Sequence, residues 1–404
     1  MSTTIRPPFR ILFRKWMFTL HSWLGLTLGL VLALIGLTGA AMSFQDEIQA
    51  MLIKPGAIPT GQPALAPVLL LERAARAQPG RSIARAQIDS DPAVPARISF
   101  LDKGGQAKGG GQAKGRETYL FDQRDGRLLG PLPAAALFDT VERLHRWLAM
   151  PGNGKGPGRI ITGSAAIALI FLGLGGLYLR WPSKPRDWRA WLTIPRGRSG
   201  RWWWRELHLL LGGVMMVVYL LSALTGLWWS FEWYRHGVQS LLGGERAEKM
   251  TAKGQPDFAL GWQGFQKATS GHAYARITLI VPEKGAALRF RALPQGATHN
   301  RADDAVVVDG ATGKVLSTDF YAHRPAGARV MAGMFEIHRG AFFGMGGRII
   351  LFITSLSLPF FAVTGLWFWL ARQRGKRKGR VRRAINQAAM DPTSTPSLTM
   401  SKGG

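Results

Sequence analysis

Leu20-His21-Ser22-Trp23-Leu24-Gly25 opens a stretch that carries no charge before Asp46 and passes through Thr38-Gly39. The chain writes the pattern a second time: Leu207-His208-Leu209-Leu210-Leu211-Gly212 opens an uncharged stretch that passes through Thr225-Gly226. Histidine and threonine are 17 residues apart in both copies (21 to 38, 208 to 225), and basic residues precede both, Arg14 and Lys15 in one and Arg201 and Arg205 in the other. A histidine just inside the edge of an apolar run, duplicated with its surroundings, reads as a functional position.

Four uncharged runs decide the class: Trp16–Gln45, Ile160–Leu179, Leu207–Phe231 and Ile349–Ala371. At about 1.5 Å per residue, even the shortest crosses a hydrocarbon core of about 30 Å as a helix. The expected fold is an α-helical integral membrane protein with four transmembrane helices in two repeated halves, and with two periplasmic α+β domains between the spans. The first run is too long for a cleaved signal peptide and its histidine pattern returns at the third, so it is read as retained.

The formal net charge of +28 could suggest nucleic acid, but its placement argues otherwise. Basic residues crowd three segments: Arg6 to Lys15, Arg180 to Arg205, and Arg372 to Arg383. The positive-inside rule puts these on the cytoplasmic side, with both termini, in a bacterial inner membrane. Some of that charge also holds anionic membrane lipid. No nucleic-acid partner is expected. The chain then divides into a cytoplasmic N-terminus with the first span (1–45), an outer domain (46–159), the second span (160–180), a basic loop (181–206), the third span (207–231), a second outer domain (232–345), the fourth span (346–371) and a basic tail (372–404) expected to be disordered. The chain has no cysteine, which excludes disulfides, thiolate zinc sites, cysteine-ligated iron–sulfur clusters and Cys-x-x-Cys-His haem attachment.

Both outer segments repeat as well. Pro67–Ala77 has amphipathic helical spacing and stops at Pro79-Gly80. Ser82–Ile88 and Ala96–Leu101 alternate as strands. Thr118–Leu129 reads as two strands around the Asp125-Gly126 turn, with a counterpart at Ala305–Leu316. Lys103–Lys114 is a near-duplicate Gly-Gln-Ala-Lys insertion, read as a hairpin tip without chemistry. Phe138–Trp147 leads into the second span with His145-Arg146, and Val330–Gly340 leads into the fourth with His338-Arg339.

The repeat sorts the histidines. His21 and His208 fall at the cytoplasmic ends of spans one and three, His145 and His338 near the outer ends of spans two and four. Two imidazoles from different helices at each membrane face suit b-type haem, held by axial histidines and packing. The competing readings are interfacial or helix-packing histidines and zinc or copper, the latter weakened by the missing third ligand. Arg146 and Arg339, each directly after its histidine, have the guanidinium fork that suits haem propionates, or are solvated interfacial charges. His236, His272, His299 and His323 have no counterpart in the other half and read as surface residues or, at most, part of an outer substrate site. No catalytic residue is assigned, and Gly173-Leu-Gly-Gly lies inside a span, where it cannot cradle a dinucleotide.

The order of basic residues and Leu-His from Arg14 to His21, the turn from Phe121 to Leu129, Leu144-His145-Arg146-Trp147-Leu148 and Thr364-Gly365-Leu366-Trp367 resembles the PepSY-associated transmembrane family over roughly residues 10 to 372. The resemblance implies outer domains of PepSY type, a helix on a small antiparallel sheet. Relatives include siderophore reductases with b-type haem, and by that analogy His21, His208, His145 and His338 are the haem ligands. The expected function is a di-haem b electron-transfer protein that reduces a periplasmic ferric chelate, a ferric siderophore, with electrons from membrane quinol or a cytoplasmic reductase. The alternatives are a haem-free scaffold that binds a periplasmic partner, and a transporter subunit.

Overall fold

The computed structural model describes residues 9–53, 63–102, 117–182, 184–195, 197, 199–243 and 250–390. In chain order the first half comprises α1 (Phe9–Met42), α2 (Gln45–Met51), α3 (Pro67–Ala77), β1 (Arg81–Asp89), β2 (Ala96–Asp102), β3 (Glu117–Phe121), β4 (Leu128–Pro131), α4 (Ala135–Trp147) and α5 (Pro157–Arg180). After a short α6 (Trp188–Leu192), the second half comprises α7 (Gly200–Ser230), α8 (Glu232–Leu241), α9 (Phe258–Ala268), β5 (Tyr274–Ile280), β6 (Ala287–Pro294), β7 (Asp304–Asp309), β8 (Val315–Asp319), α10 (Ala326–His338) and α11 (Gly344–Met390).

Four of these helices, α1, α5, α7 and α11, are long and apolar enough to span a membrane. Each begins before the uncharged run that announced it or continues beyond it, because charged and interfacial residues extend a helix without adding to hydropathy. Trp202, Trp203 and Trp204 lie on the first turns of α7 and are exposed, as an interfacial belt requires. The spans pair across the repeat, α1 against α11 and α5 against α7. At their contact Gly36 has no room for a Cβ, which would lie 2.5 Å from the Ser355 carbonyl oxygen.

α11 departs from expectation. The basic stretch from Arg372, read as disordered tail, continues the last span as helix to Met390. Arg, Lys, Gln and Ala are good helix formers, and no proline intervenes before Pro392. The remainder of the tail and the Lys103–Lys114 duplication lie outside the described residues.

The strands form one sheet of eight, in the order β4-β3-β2-β1-β5-β6-β7-β8. The two outer modules expected from sequence are therefore joined: β1 and β5 pair antiparallel, with Arg85 opposite Ile280 and Gln87 opposite Thr278. The palindromic order makes the sequence repeat a local two-fold between β1 and β5, which is the symmetry of parallel repeats in a membrane. Strand alternation gives the sheet two unlike faces. Ala86, Ile98, Phe100, Phe121, Leu288, Phe290, Val306 and Val308 bury one face under α3 and α9, in a single core that also holds Leu70, Leu71 and Phe265. Pro67 at the start of α3, and the Asp257 side chain accepting from Ala259 N (2.7 Å) and Leu260 N (3.1 Å) at the start of α9, fix where those helices begin. The other face is polar, and it looks onto the helices that carry His145 and His338.

Candidate functional site

His145 is the last-but-two residue of α4 and His338 the last residue of α10. The two ring centres stand 6.3 Å apart, although 193 residues separate them in sequence (145 to 338). Each ring is gripped by the Thr-Gly pair of a neighbouring span. His145 Nδ1 is 3.0 Å from the Ile35 carbonyl and 3.1 Å from Thr38 Oγ1. His338 Nδ1 is 3.1 Å from the Ser222 carbonyl and 2.9 Å from Thr225 Oγ1. A carbonyl can only accept, so Nδ1 carries the proton in both rings and the lone pair lies on Nε2. The glycine after each threonine lets the ring approach: a Cβ on Gly39 would lie 3.1 Å from His145 Cε1, and one on Gly226 would lie 3.3 Å from His338 Cε1.

Burial pushes both imidazoles down to about 4, and for His145 the neighbouring His338 adds to the effect. Both are neutral at physiological pH, the form in which imidazole is a ligand. The chain turns sharply after His145, where Leu148 and Ala149 adopt left-handed φ of 54° and 53°. Two non-glycine residues in that region cost energy, and such strain collects at functional sites. In the second half Gly340 makes the corresponding turn, φ 74°, without that cost.

The pair opens on a cavity of about 760 Å³ between the helices and the polar face of the sheet. Arg146 and Arg339 line it, but both already have carboxylate partners. Arg146 pairs with Glu142 at 2.7 Å and lies 4.4 Å from the Trp147 ring centre. Arg339 pairs with Glu336 at 3.0 Å and Asp46 at 3.4 Å.

His21 and His208 line a second cavity of about 990 Å³ at the opposite end of the spans. His208 Nδ1 is 2.7 Å from Thr364 Oγ1, whose hydroxyl donates to the Phe360 carbonyl at 2.7 Å, so the histidine donates to the threonine and again leaves Nε2 bare. His21 Nδ1 is buried and makes no hydrogen bond of normal geometry, with the Leu172 backbone alongside. The two cavities share a wall of Leu32, Leu169, Tyr219 and Leu358. Tyr219 is anchored there by its hydroxyl to Ser357 and to the Thr354 carbonyl, 3.2 Å.

Thr38, Thr225 and Thr364 as holders of the rings are additions to the sequence reading. For Thr38 and Thr225 the signal was the 17-residue spacing from histidine that the two halves share, which marked Thr-Gly as repeated without saying what it touches. Among the other histidines, His236, His272 and His323 are exposed, but His299 is buried at 7% exposure, not a surface residue. Its Nε2 meets the Tyr321 hydroxyl at 3.0 Å and its Nδ1 accepts from Arg301 N at 3.1 Å, a structural role that ties the β6–β7 connection to the segment before α10.

Among the described residues no group of three or more His, Asp or Glu gathers as a metal cage. What gathers are pairs of imidazoles, one pair on each cavity, in a multi-pass membrane protein capped by an eight-stranded sheet. That defines the class. The chain belongs to the PepSY-associated TM region family, whose model matches residues 18–372. No curated protein matches it closely enough to count as a relative.

Proposed function

We propose that this protein is a di-haem b electron-transfer protein of the bacterial inner membrane, with its termini in the cytoplasm, that reduces a ferric chelate on the periplasmic, sheet-bearing side. The observation that carries the reading is the arrangement of four imidazoles as two pairs, one to each cavity. The 6.3 Å between the ring centres of His145 and His338 would let both imidazoles serve one metal centre. The bare Nε2 atoms of His145 and His338, the close approach allowed by Gly39 and Gly226, and the apolar walls would suit a flat macrocycle held by these two histidines. When bound, haem supplies a one-electron Fe(III)/Fe(II) couple.

The protein's own groups then have separate tasks. His145 and His338 hold one group, His21 and His208 the other. Thr38, Thr225 and Thr364 fix the tautomer and orientation of their rings. Arg146 and Arg339, already oriented by carboxylates, stand at the edge of the sheet-side cavity as partners for propionates. Leu32, Leu169, Tyr219 and Leu358 form an apolar partition between the two sites and keep bulk water out of the membrane interior. The donor is membrane quinol or a cytoplasmic reductase, which meets the basic end of the helices. Each ferric ion accepts one electron, and as Fe(II) it is held less tightly by hard oxygen ligands, which releases it.

The test is the haem-to-protein ratio of the purified protein with a redox titration. Two haems per chain and two stepped potentials are expected. A preparation from haem-replete cells with no reducible Soret band overturns the reading.

A further inference from the structure

The cations around the sheet-side cavity fall into two sets. Arg146, Arg159 and Arg339 sit on or directly after the helices. Arg85, Arg276, Arg291 and Arg301 come from β1, β5, β6 and the β6–β7 connection, and form the roof. The cavity at the opposite end is also lined by basic residues, among them Arg14, Arg201, Arg205 and Arg372, and all of these are on helices. Helix-borne cations thus recur at both histidine pairs, as partners of a group common to both would. The roof has no equivalent at the opposite end, so its charge serves something handled on the sheet side alone.

The charge of the cavity is only partly balanced by carboxylates that line it. Seven arginines line the cavity against four carboxylates, Asp46, Glu142, Asp303 and Glu336. Arg291 pairs with Asp303, and Arg276 lies 3.6 Å from Asp89. Arg301 has no carboxylate within ion-pair distance among the described residues, and its guanidinium rests 5.0 Å from the Phe335 ring centre. Burial first, and then the like charge of Arg291, lowers its pKa, with Arg339 contributing in the same direction. A half-buried cation held beside two others, facing a cavity, is stabilised by an anion that enters from outside.

We propose that this roof recognises an anionic ferric chelate of the hydroxycarboxylate class, whose uncoordinated carboxylates are bound by the arginine forks. Guanidinium matches carboxylate bidentately. The side chains between the arginines on the sheet are Gln87, Thr278 and Asn300, polar groups that can hydrogen-bond a carboxylate, whereas the aromatic rings of the cavity, Trp147, Trp229 and Phe335, belong to the helices. A neutral or cationic hydroxamate chelate gains nothing from this charge. The purpose of the binding rests on the reductase reading; the binding itself does not.

The test uses the full-length protein in detergent and gallium(III) citrate, which carries the charge of the ferric complex but cannot be reduced under these conditions. Calorimetry on the wild type is expected to show binding that weakens as salt rises, and Arg301→Gln and Arg276→Gln are each expected to weaken it about tenfold or more. Arg301 makes no ion pair, so R301Q carries the result if R276Q folds poorly, with the thermal midpoint as control. Unchanged affinity in folded R301Q, no binding by the wild type, or tighter binding of a neutral gallium tris-hydroxamate each overturns the proposal. Gallium citrate bound by a protein without a Soret band would remove the reductase reading and leave this inference standing. A haem-loaded protein indifferent to gallium citrate would do the reverse.

Discussion

Thr364 Oγ1 stands 2.7 Å from His208 Nδ1, whereas the residue matching Thr364 in the other half is Gly175, when Thr364-Gly365-Leu366-Trp367 is set against Gly175-Gly176-Leu177-Tyr178. His21, the partner of His208 across the cavity, consequently has no hydroxyl on its buried Nδ1, which has only the Leu172 backbone alongside. The two halves are symmetric in fold and unequal here. Thr364→Ala removes the hydroxyl that anchors His208, and loss of such a partner typically weakens metal binding about 10–100-fold. The expected result is preferential loss of one haem from T364A, read as a fall in the haem-to-protein ratio with the sheet-side spectrum retained. Loss of neither, or of both equally, counts against the assignment.

His145→Ala and His338→Ala each remove one of two facing imidazoles. Both variants should lose or shift the same component of the reduced absorption spectrum and spare the component that depends on His21 and His208. Two different components responding to the two substitutions would mean that the rings do not share a ligand, whatever their separation.

The spans, the repeat and six of the eight strands were legible because each rests on local pattern: uncharged length for α1, α5, α7 and α11, alternation for β1 and β2, Asp-Gly for the β3–β4 turn and its counterpart between β7 and β8, whereas β5 and β6 went unread. The grip of Thr38 on His145 was not, since it joins residues 107 apart in sequence and spacing within one span says nothing about its neighbour. The union of the two half-sheets was hidden for the same reason: alternation in β1 shows two faces but not which strand lies at its open edge, and Arg85, Arg276 and Arg291 look like ordinary exposed strand residues until β1 and β5 meet. The helix beyond Arg372 has no apolar stripe, and propensity alone is a weak signal. His299 was misplaced because its burial against Tyr321 and Phe342, residues distant in sequence, leaves no mark on its own stretch.

Phe290 tests whether the sheet is one unit. It is 1% exposed and stacks on Phe265 with ring centres 4.6 Å apart, in a core that also contains Phe100 and Phe121 of the first half. Phe290→Ala should cost about 3–5 kcal/mol. Because the core is continuous across β1 and β5, hydrogen exchange should quicken in the first-half strands β1 and β2 as well as in β5 and β6. Acceleration confined to the second half would show that the two modules fold and open independently despite their shared sheet.

Glu47 and Arg348 connect the corner after α1 to the start of α11. Arg348 Nη2 donates to Glu47 Oε2 at 2.7 Å, and Arg348 Nε donates to the Ser43 carbonyl at 3.2 Å. The hydrogen bond from Arg348 is the largest cause holding the Glu47 carboxyl below its ordinary value. A carboxylate with a lower pKa in the folded state contributes stability that is fully present above its unfolded value, about 4.3, and is lost as pH falls through the folded value, because the unfolded chain takes up the proton first. Glu47 is partly exposed and solvent screens the pair, so the contribution at neutral pH is about 1 kcal/mol or less. Glu47→Gln should therefore lower the thermal midpoint slightly at pH 7, and the gap between wild type and variant should close as the pH is brought below the folded pKa. A gap that stays constant down to acid pH would mean that the variant acts through packing at the α2–α11 corner and not through the charge.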